Sequence, residues 1–374
     1  MPPASLYIHV PFCARRCPYC DFAVSVNGRA EFRAAYLEAL QLELKTQLSG
    51  TSAHLKTIFC GGGTPTELSA AQLNSILDTV RAHATVAPDA EVSLEANPEN
   101  LSRETLRELH EGGWNRLSLG AQSFDDTTLR FLGRAHDGAR IERVVHEARE
   151  EGWTNISLDL IYGAPAQTLE MWRSTLERAV ELNVPHVSAY SLTVETGTAL
   201  GQRAAKGTFR ALDDDHLADR MDVASELLEH AGLERYEVSN WARLGQECRH
   251  NQNYWRGGSY FAAGCGAHGH FDGERFWNER DTKIYVRRII SDGTARVETE
   301  RLTPNERLVE RLATGLRTRE GVALNEGETK LLQPTLASLC KMGLLKYDAE
   351  HLKPEKTGFA LADGLASRLI GHIL

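Results

Sequence analysis

Six short runs of strand-forming residues, separated by stretches of helical periodicity, recur through the first half of this chain. The runs fall at 6–10, 57–60, 91–96, 116–121, 156–161 and 186–192, and the helical stretches near 30–48, 69–84, 102–111, 138–151 and 168–182. That alternation predicts parallel strands joined by crossover helices, because a tight hairpin cannot return the chain parallel to itself. Such sheets take ligands at the carboxyl ends of their strands, whether the sheet is open or closed into a barrel. Six units suggest a partial barrel, although periodicity alone does not separate it from a doubly wound sheet. At 374 residues, 42% hydrophobic and 25% charged, the chain exceeds the usual single-domain size. One large domain with a smaller appendage is therefore expected.

The loop after the first run carries the chemistry. In PFCARRCPYCDF the residues Cys13, Cys17 and Cys20 are spaced C-x3-C-x2-C. An iron–sulfur cubane usually takes four thiolates, so three leave one iron open to a ligand that is not protein. A zinc knuckle would close with four ligands and a second pair further on. The remaining cysteines, Cys60, Cys248, Cys265 and Cys340, form no such pair, and His9 lies in the alternating run LYIHV. Arg15 and Arg16 beside the thiols would tune a cluster's potential or stand as solvated charges.

Seven cysteines, an odd number, do not read as a secreted disulfide framework. A formal charge of -9 argues against a nucleic-acid partner, which calls for clustered Lys and Arg. No apolar run reaches the roughly 20 residues that span a bilayer, and the first residues lack a charged segment followed by an apolar one. A cytoplasmic protein with reduced thiols and no membrane span is expected.

Further polar and glycine residues recur where the βα pattern ends its strands. Gly61-Gly62-Gly63-Thr64-Pro65-Thr66 follows the second run, a turn without side-chain bulk in which backbone N–H and C=O groups would approach a ligand closely. Glu95, Gln122, Arg134 and Asp159 mark later strand ends. A carboxylate suits a ribose hydroxyl or a sulfonium neighbour, and a guanidinium suits a carboxylate.

The cysteine spacing resembles that of the radical S-adenosylmethionine (SAM) superfamily, and the glycine turn resembles its loop for the methionine end of SAM. The resemblance implies a (β/α)6 partial barrel with an open side. It also implies a 4Fe-4S cluster on Cys13, Cys17 and Cys20, and SAM at Tyr7, Tyr19, Gly62, Gly63, Thr64, Glu95, Gln122, Arg134 and Asp159. Two later stretches narrow it. Cys248-Arg249-His250-Asn251-Gln252-Asn253-Tyr254-Trp255 contains HNxxYW, and Gly264-Cys265-Gly266-Ala267-His268-Gly269 follows. With YEVSNWA these are similar to the HemW family of heme chaperones, formerly grouped with oxygen-independent coproporphyrinogen III oxidases, and the likeness covers nearly the whole chain. It implies heme as cargo and acceptor hemoproteins, such as respiratory enzymes, as partners, with peripheral membrane association only through an acceptor.

Heme contact is expected at His250, Asn251, Tyr254 and Trp255, since an imidazole is the usual proximal ligand and aromatic rings pack on a porphyrin. The other reading has His250 and Asn251 bonding a loop while Tyr254 and Trp255 fill a domain seam. Cys248, His268 and His270 are lesser candidates for the iron. The rival function is radical decarboxylation of coproporphyrinogen III propionates. That enzyme branch carries a further cysteine where this chain has Phe22, and an extension before the cysteine loop for which twelve residues leave no room.

Past residue 300 the pattern changes to a helix at 304–318, a second at 326–342, then a hairpin and a last helix. This resembles a winged-helix appendage, and its second helix has only Lys330 and Lys341 as basic residues. A lid or docking role is expected rather than DNA binding. The domains are expected at 1–232 (barrel), 233–300 (connecting region with HNxxYW) and 301–374 (winged-helix-like α+β unit).

Overall fold

In the computed structural model, which describes residues 3–26, 28–348, 350–371 and 373, the six runs form six parallel strands side by side in chain order. They are β1 (Ser5–Val10), β2 (His54–Gly62), β3 (Thr85–Ala96), β4 (Arg116–Gln122), β5 (Asn155–Tyr162) and β6 (His186–Ser191). The order of these strands decides the architecture. A doubly wound sheet reverses at a switch point, so that helices cover both faces; here the order runs from β1 to β6 without reversal. Right-handed crossovers then put every connecting helix on one face. The sheet curves round the other face as part of a barrel.

Three more strands extend this sheet. β7 (Glu234–Glu237) and β8 (Asn240–Ala242) form an antiparallel hairpin on β6, while β9 (Phe261–Ala263) runs parallel beside β1. β9 and β7 end the nine-stranded sheet and do not pair with each other, so the barrel stays open between them. The barrel sheet thus continues to residue 263. The stretch 233–300, expected to connect, supplies three of its strands.

Helices Ala30–Leu48, Ala70–His83, Arg103–Glu111, Gly138–Glu150 and Leu169–Glu181 fall where the periodicity puts them, and Asp214–His230 adds a sixth. Five of the six begin at a side-chain cap: Ser69, Ser102, Asp137, Thr168 and Asp213 each accept from a first-turn N–H that the helix leaves open. Strand side chains alternate between two faces. Leu117, Leu119 and Ala121 of β4, with Ile156, Leu158 and Leu160 of β5, are buried in the core shared with the helices. The opposite set, Arg116, Ser118, Gly120 and Gln122 with Asp159, lines a cavity instead. Closed barrels of this kind are usually filled by branched apolar residues. This interior is hollow, with charged and polar side chains set among apolar surface.

A small antiparallel sheet, β10 (His268–Phe271), β11 (Glu274–Asn278) and β12 (Arg296–Arg301), follows. The C-terminal unit has helices Pro304–Gly315 and Glu326–Lys341, strands β13 (Val322–Ala323), β14 (Leu345–Asp348) and β15 (His351–Pro354), and helix Ala362–Ile370. It buries a core of its own, around Leu312, Leu332, Leu339 and Leu352. Two backbone bonds tie it to the barrel edge at β7: Val238 N–H to Arg317 O at 2.9 Å and Arg319 N–H to Tyr236 O at 3.0 Å.

Candidate functional site

The cysteine loop closes over the carboxyl ends of the strands. Phe12–Cys13 pairs with Ser25–Val26, Ser25 N–H reaches Pro11 O at 2.7 Å, and Cys20 N–H turns back on Cys17 O at 3.2 Å. His9 holds the far end. Its Nε2 lies 2.9 Å from Ala23 O, which can only accept, so Nε2 carries the proton and Nδ1 accepts from Tyr7 OH at 2.9 Å. Burial pushes this imidazole down to about 4, which keeps it neutral. His9 is a brace and offers no free nitrogen to a metal.

Beneath the loop is a cavity of about 750 Å³, within the roughly 300–1,000 Å³ typical of small-molecule sites. Cys13, Cys17 and Cys20 line it together with Tyr7, Tyr19, Gly62, Gly63, Thr64, Glu95, Gln122, Arg134 and Asp159. One chamber therefore gathers every residue at which the sequence suggests cluster or SAM. All three thiols are free, and burial pushes Cys13 up to about 11, so a metal binding there displaces a proton. Three thiols at the mouth of a cavity walled by carboxylates and a guanidinium suit a cluster whose remaining iron takes an amino acid ligand.

A hydrogen-bonded chain joins two of the thiols. Cys13 Sγ is 3.6 Å from Thr64 Oγ1, which accepts from Asn97 Nδ2 at 3.0 Å; Asn97 Oδ1 accepts from Arg134 Nη2, and Arg134 Nη1 lies 3.6 Å from Cys17 Sγ. Asn97 is absent from the expected site. Its signal was its place two residues after Glu95, on the same face of the chain. Gln122 ends β4 with φ at +64°, a left-handed conformation costly for a side chain other than glycine and concentrated at functional sites.

The glycine turn differs from expectation in one respect. Gly62 N–H donates to Glu95 Oε2 at 2.9 Å, Gly63 N–H to Val10 O at 2.9 Å and Thr64 N–H to Phe12 O at 2.7 Å. These donors are spent on the protein, so the turn contributes bare space rather than N–H groups. That space is required: Gly62 has φ at +113°, and a Cβ there would strike the His9 ring.

Deeper in the chamber stand Glu95, Asp159 and Arg116. Asp159 accepts from Ser118 Oγ at 2.9 Å and Ser157 Oγ at 3.2 Å, and burial raises its pKa. Ser157 continues through His186 Nδ1 at 2.8 Å and His186 Nε2 to Tyr236 OH at 2.8 Å. Arg116 is fully buried at the start of β4, and sequence reasoning passed over it as a strand-start residue.

HNxxYW forms the short helix Arg249–Trp255, set against Thr57 of β2 and Glu91 of β3. Glu91 of β3 receives its first donors, Arg249 N–H at 2.9 Å, His250 N–H at 3.0 Å and Cys248 Sγ at 3.6 Å. His250 is 0% exposed and stacks on Phe59, with ring centroids 5.2 Å apart. The Thr57 hydroxyl donates to Ser5, so it accepts from His250 Nδ1 at 2.8 Å, and His250 Nε2 accepts from Tyr254 OH at 2.7 Å. Burial pushes this ring down to about 3. With both nitrogens engaged, His250 has no lone pair for an iron in this arrangement. Asn251 and Tyr254 line the cavity. Trp255 lies instead at the seam with the C-terminal unit, where Arg317 stands over its ring.

Cys248 and Cys265 are buried, and neither they nor Cys60, Cys340, His268 or His270 line the cavity. Phe22, 64% exposed, and Arg15 and Arg16 form its rim, with Arg16 Nη2 donating to Phe22 O at 3.0 Å. No helix among the described residues is long and apolar enough to cross a membrane.

Residues 7–179 match the pattern of the Radical SAM superfamily. A heme chaperone HemW of Mycobacterium tuberculosis (strain H37Rv) is 40% identical over 380 residues, covering 99% of this chain and 95% of that one. The heme chaperone HemW of Bacillus subtilis (strain 168) is 37% identical over 378 residues, covering 99% and 100%. The solved structure of coproporphyrinogen III oxidase (HemN) from Escherichia coli, a radical SAM enzyme, superposes with a TM-score of 0.84 at 25% identity, over 98% of this chain and 90% of that one.

Proposed function

The chain belongs to the HemW family of heme chaperones within the radical SAM superfamily, and from that premise we propose that it binds a 4Fe-4S cluster, SAM and heme and passes the heme to acceptor hemoproteins, such as respiratory enzymes, in the cytoplasm. The observation that carries this reading is that Asn251 and Tyr254 of HNxxYW line the same cavity as the three thiols and the strand-end carboxylates. Cys13, Cys17 and Cys20 would hold the cluster. The space at Gly62, Gly63 and Thr64, with Tyr7, Tyr19, Glu95, Gln122, Arg134 and Asp159, would hold SAM. When bound, the cluster and SAM supply a redox-active iron site and a sulfonium. The protein's own part is to position them: Arg134 compensates thiolate charge, His9 fixes the loop, and buried Glu95 and Asp159 accept from the ligand. In HNxxYW the reading assigns heme contact to Asn251 and Tyr254, with His250 orienting the Tyr254 hydroxyl and Trp255 packing the seam.

Porphyrinogen decarboxylation is the second reading, favoured by the likeness to coproporphyrinogen III oxidase. Anaerobic reconstitution with iron and sulfide, followed by separate assays of heme retention and of coproporphyrinogen III conversion, tells the two apart. The chaperone reading expects stable heme uptake, heme transfer to an apo-hemoprotein and no turnover. Several product equivalents per cluster would overturn it.

A further inference from the structure

The floor of the cavity holds a cation to which no described residue is hydrogen-bonded. Arg116 is 2% exposed, and its Nε has no hydrogen-bond partner. Among the described residues its guanidinium makes no hydrogen bond or ion pair, and it lines the cavity together with Ser118, Asn251 and Tyr254. A buried guanidinium presents five donors, and leaving them empty is costly.

The neighbouring carboxylates balance its charge from a distance, and none of them bonds it. Glu91 takes the first donors of helix Arg249–Trp255, Asp159 takes two serine hydroxyls, and Glu95 takes Gly62 N–H. What Arg116 lacks is an acceptor with two oxygens side by side, the geometry that a planar fork of N–H groups prefers. On the proposed reading the methionine carboxylate of SAM would lie beside the thiol loop, at the opposite end of the strands. β4 rises about 3.3 Å per residue, so Arg116 stands roughly 20 Å along the strand from Gln122.

We propose that Arg116, facing the same space as Asn251 and Tyr254, is a carboxylate subsite on the cavity floor that takes a propionate of the bound heme. This inference rests on the reading that the chain binds heme.

The test is a titration of cluster-loaded protein with iron protoporphyrin IX and, separately, with its dimethyl ester, in wild type, Arg116→Met and Arg116→Lys. Hydrogen bonds to a charged group are worth about 1.5–3 kcal/mol, or roughly one to two decades in affinity. Wild type should therefore bind the diacid about 10- to 100-fold more tightly than the diester. Arg116→Met should bind both with the weaker affinity, and iron content and thermal unfolding check that its barrel is intact. Should the methionine variant not fold, Arg116→Lys carries the test: it keeps the charge without the fork and should lose most of the preference. Equal binding of diacid and diester by wild type overturns the subsite and leaves the chaperone reading standing. A preference that persists in the folded variants, or a loss of SAM affinity in its place, also overturns it. Binding of neither porphyrin by wild type removes the chaperone reading and the subsite together.

Discussion

Glu95 shows how the chamber sets its own chemistry. Burial, then Asp159, pushes its carboxyl up to about 7, against Gly62 N–H and Arg116, which favour the charged form. A folded pKa above the ordinary 4.5 means that the unfolded chain binds fewer protons, so ionising Glu95 costs stability. The cost is absent below the unfolded pKa, grows as pH rises, and is complete above about 7. Glu95→Gln should accordingly stabilise the ligand-free protein, by about 1–3 kcal/mol at pH 8 and by less at pH 5. Denaturant unfolding at the two pH values measures it, and a gap that fails to widen refutes the assignment. The same variant should weaken SAM binding by roughly tenfold or more. The seven cysteines divide just as sharply. Alanine at Cys13, Cys17 or Cys20 should abolish the iron content and absorbance of reconstituted protein, whereas alanine at Cys60, Cys248 or Cys340, away from the cavity, should leave both. Iron retained without the loop thiols would undo the ligand set.

Among the elements, helix Arg249–Trp255 depends on a residue of another strand. It has no side-chain cap of its own, and Glu91 supplies the acceptor from β3. Glu91→Ala would leave two backbone N–H groups and the Cys248 thiol without their acceptor and would remove a charge that balances Arg116, which should cost about 2–4 kcal/mol. A melting temperature within a degree of wild type would contradict that. This helix also marks where the sequence stops being legible. The six parallel strands can be read because each is a short run of strand-forming residues between turn signals, and five helices can be read from their periodicity. HNxxYW is too short for a helical period, and the short runs ERYE and NWA of β7 and β8 carry no strand pattern, because antiparallel pairing at a sheet edge decides them. In the site, Cys13, Glu95 and Asp159 declare themselves by type and position. Arg116 and the engagement of both His250 nitrogens depend on what the barrel brings near them, and one chain position says nothing of that.

The whole molecule is a barrel with a C-terminal unit fastened to its open edge. Arg235 of β7 lies between the Trp241 ring of the barrel, at 5.1 Å, and the Phe359 ring of the C-terminal unit, at 5.0 Å. Arg235→Ala should loosen that attachment by about 1–2 kcal/mol. Faster amide exchange across 317–320 and the C-terminal helices, with unchanged cluster content, is the expected result; uniform protection would show that the backbone bonds at β7 suffice. The pairing of β1 with β9, Leu6 opposite Phe261, bears on how such a molecule comes into being. Synthesis delivers the thiol loop first, yet Cys265 N–H on Tyr36 OH and Arg280 on Asp21, which enclose that end of the barrel, come from residues made much later. At about 5–20 residues per second, a ribosome keeps the loop waiting for roughly ten seconds to a minute before its enclosure exists. Three thiols thus stand without that wall until residues 265 and 280 have been made, and iron that met them earlier would meet a site whose enclosure is incomplete.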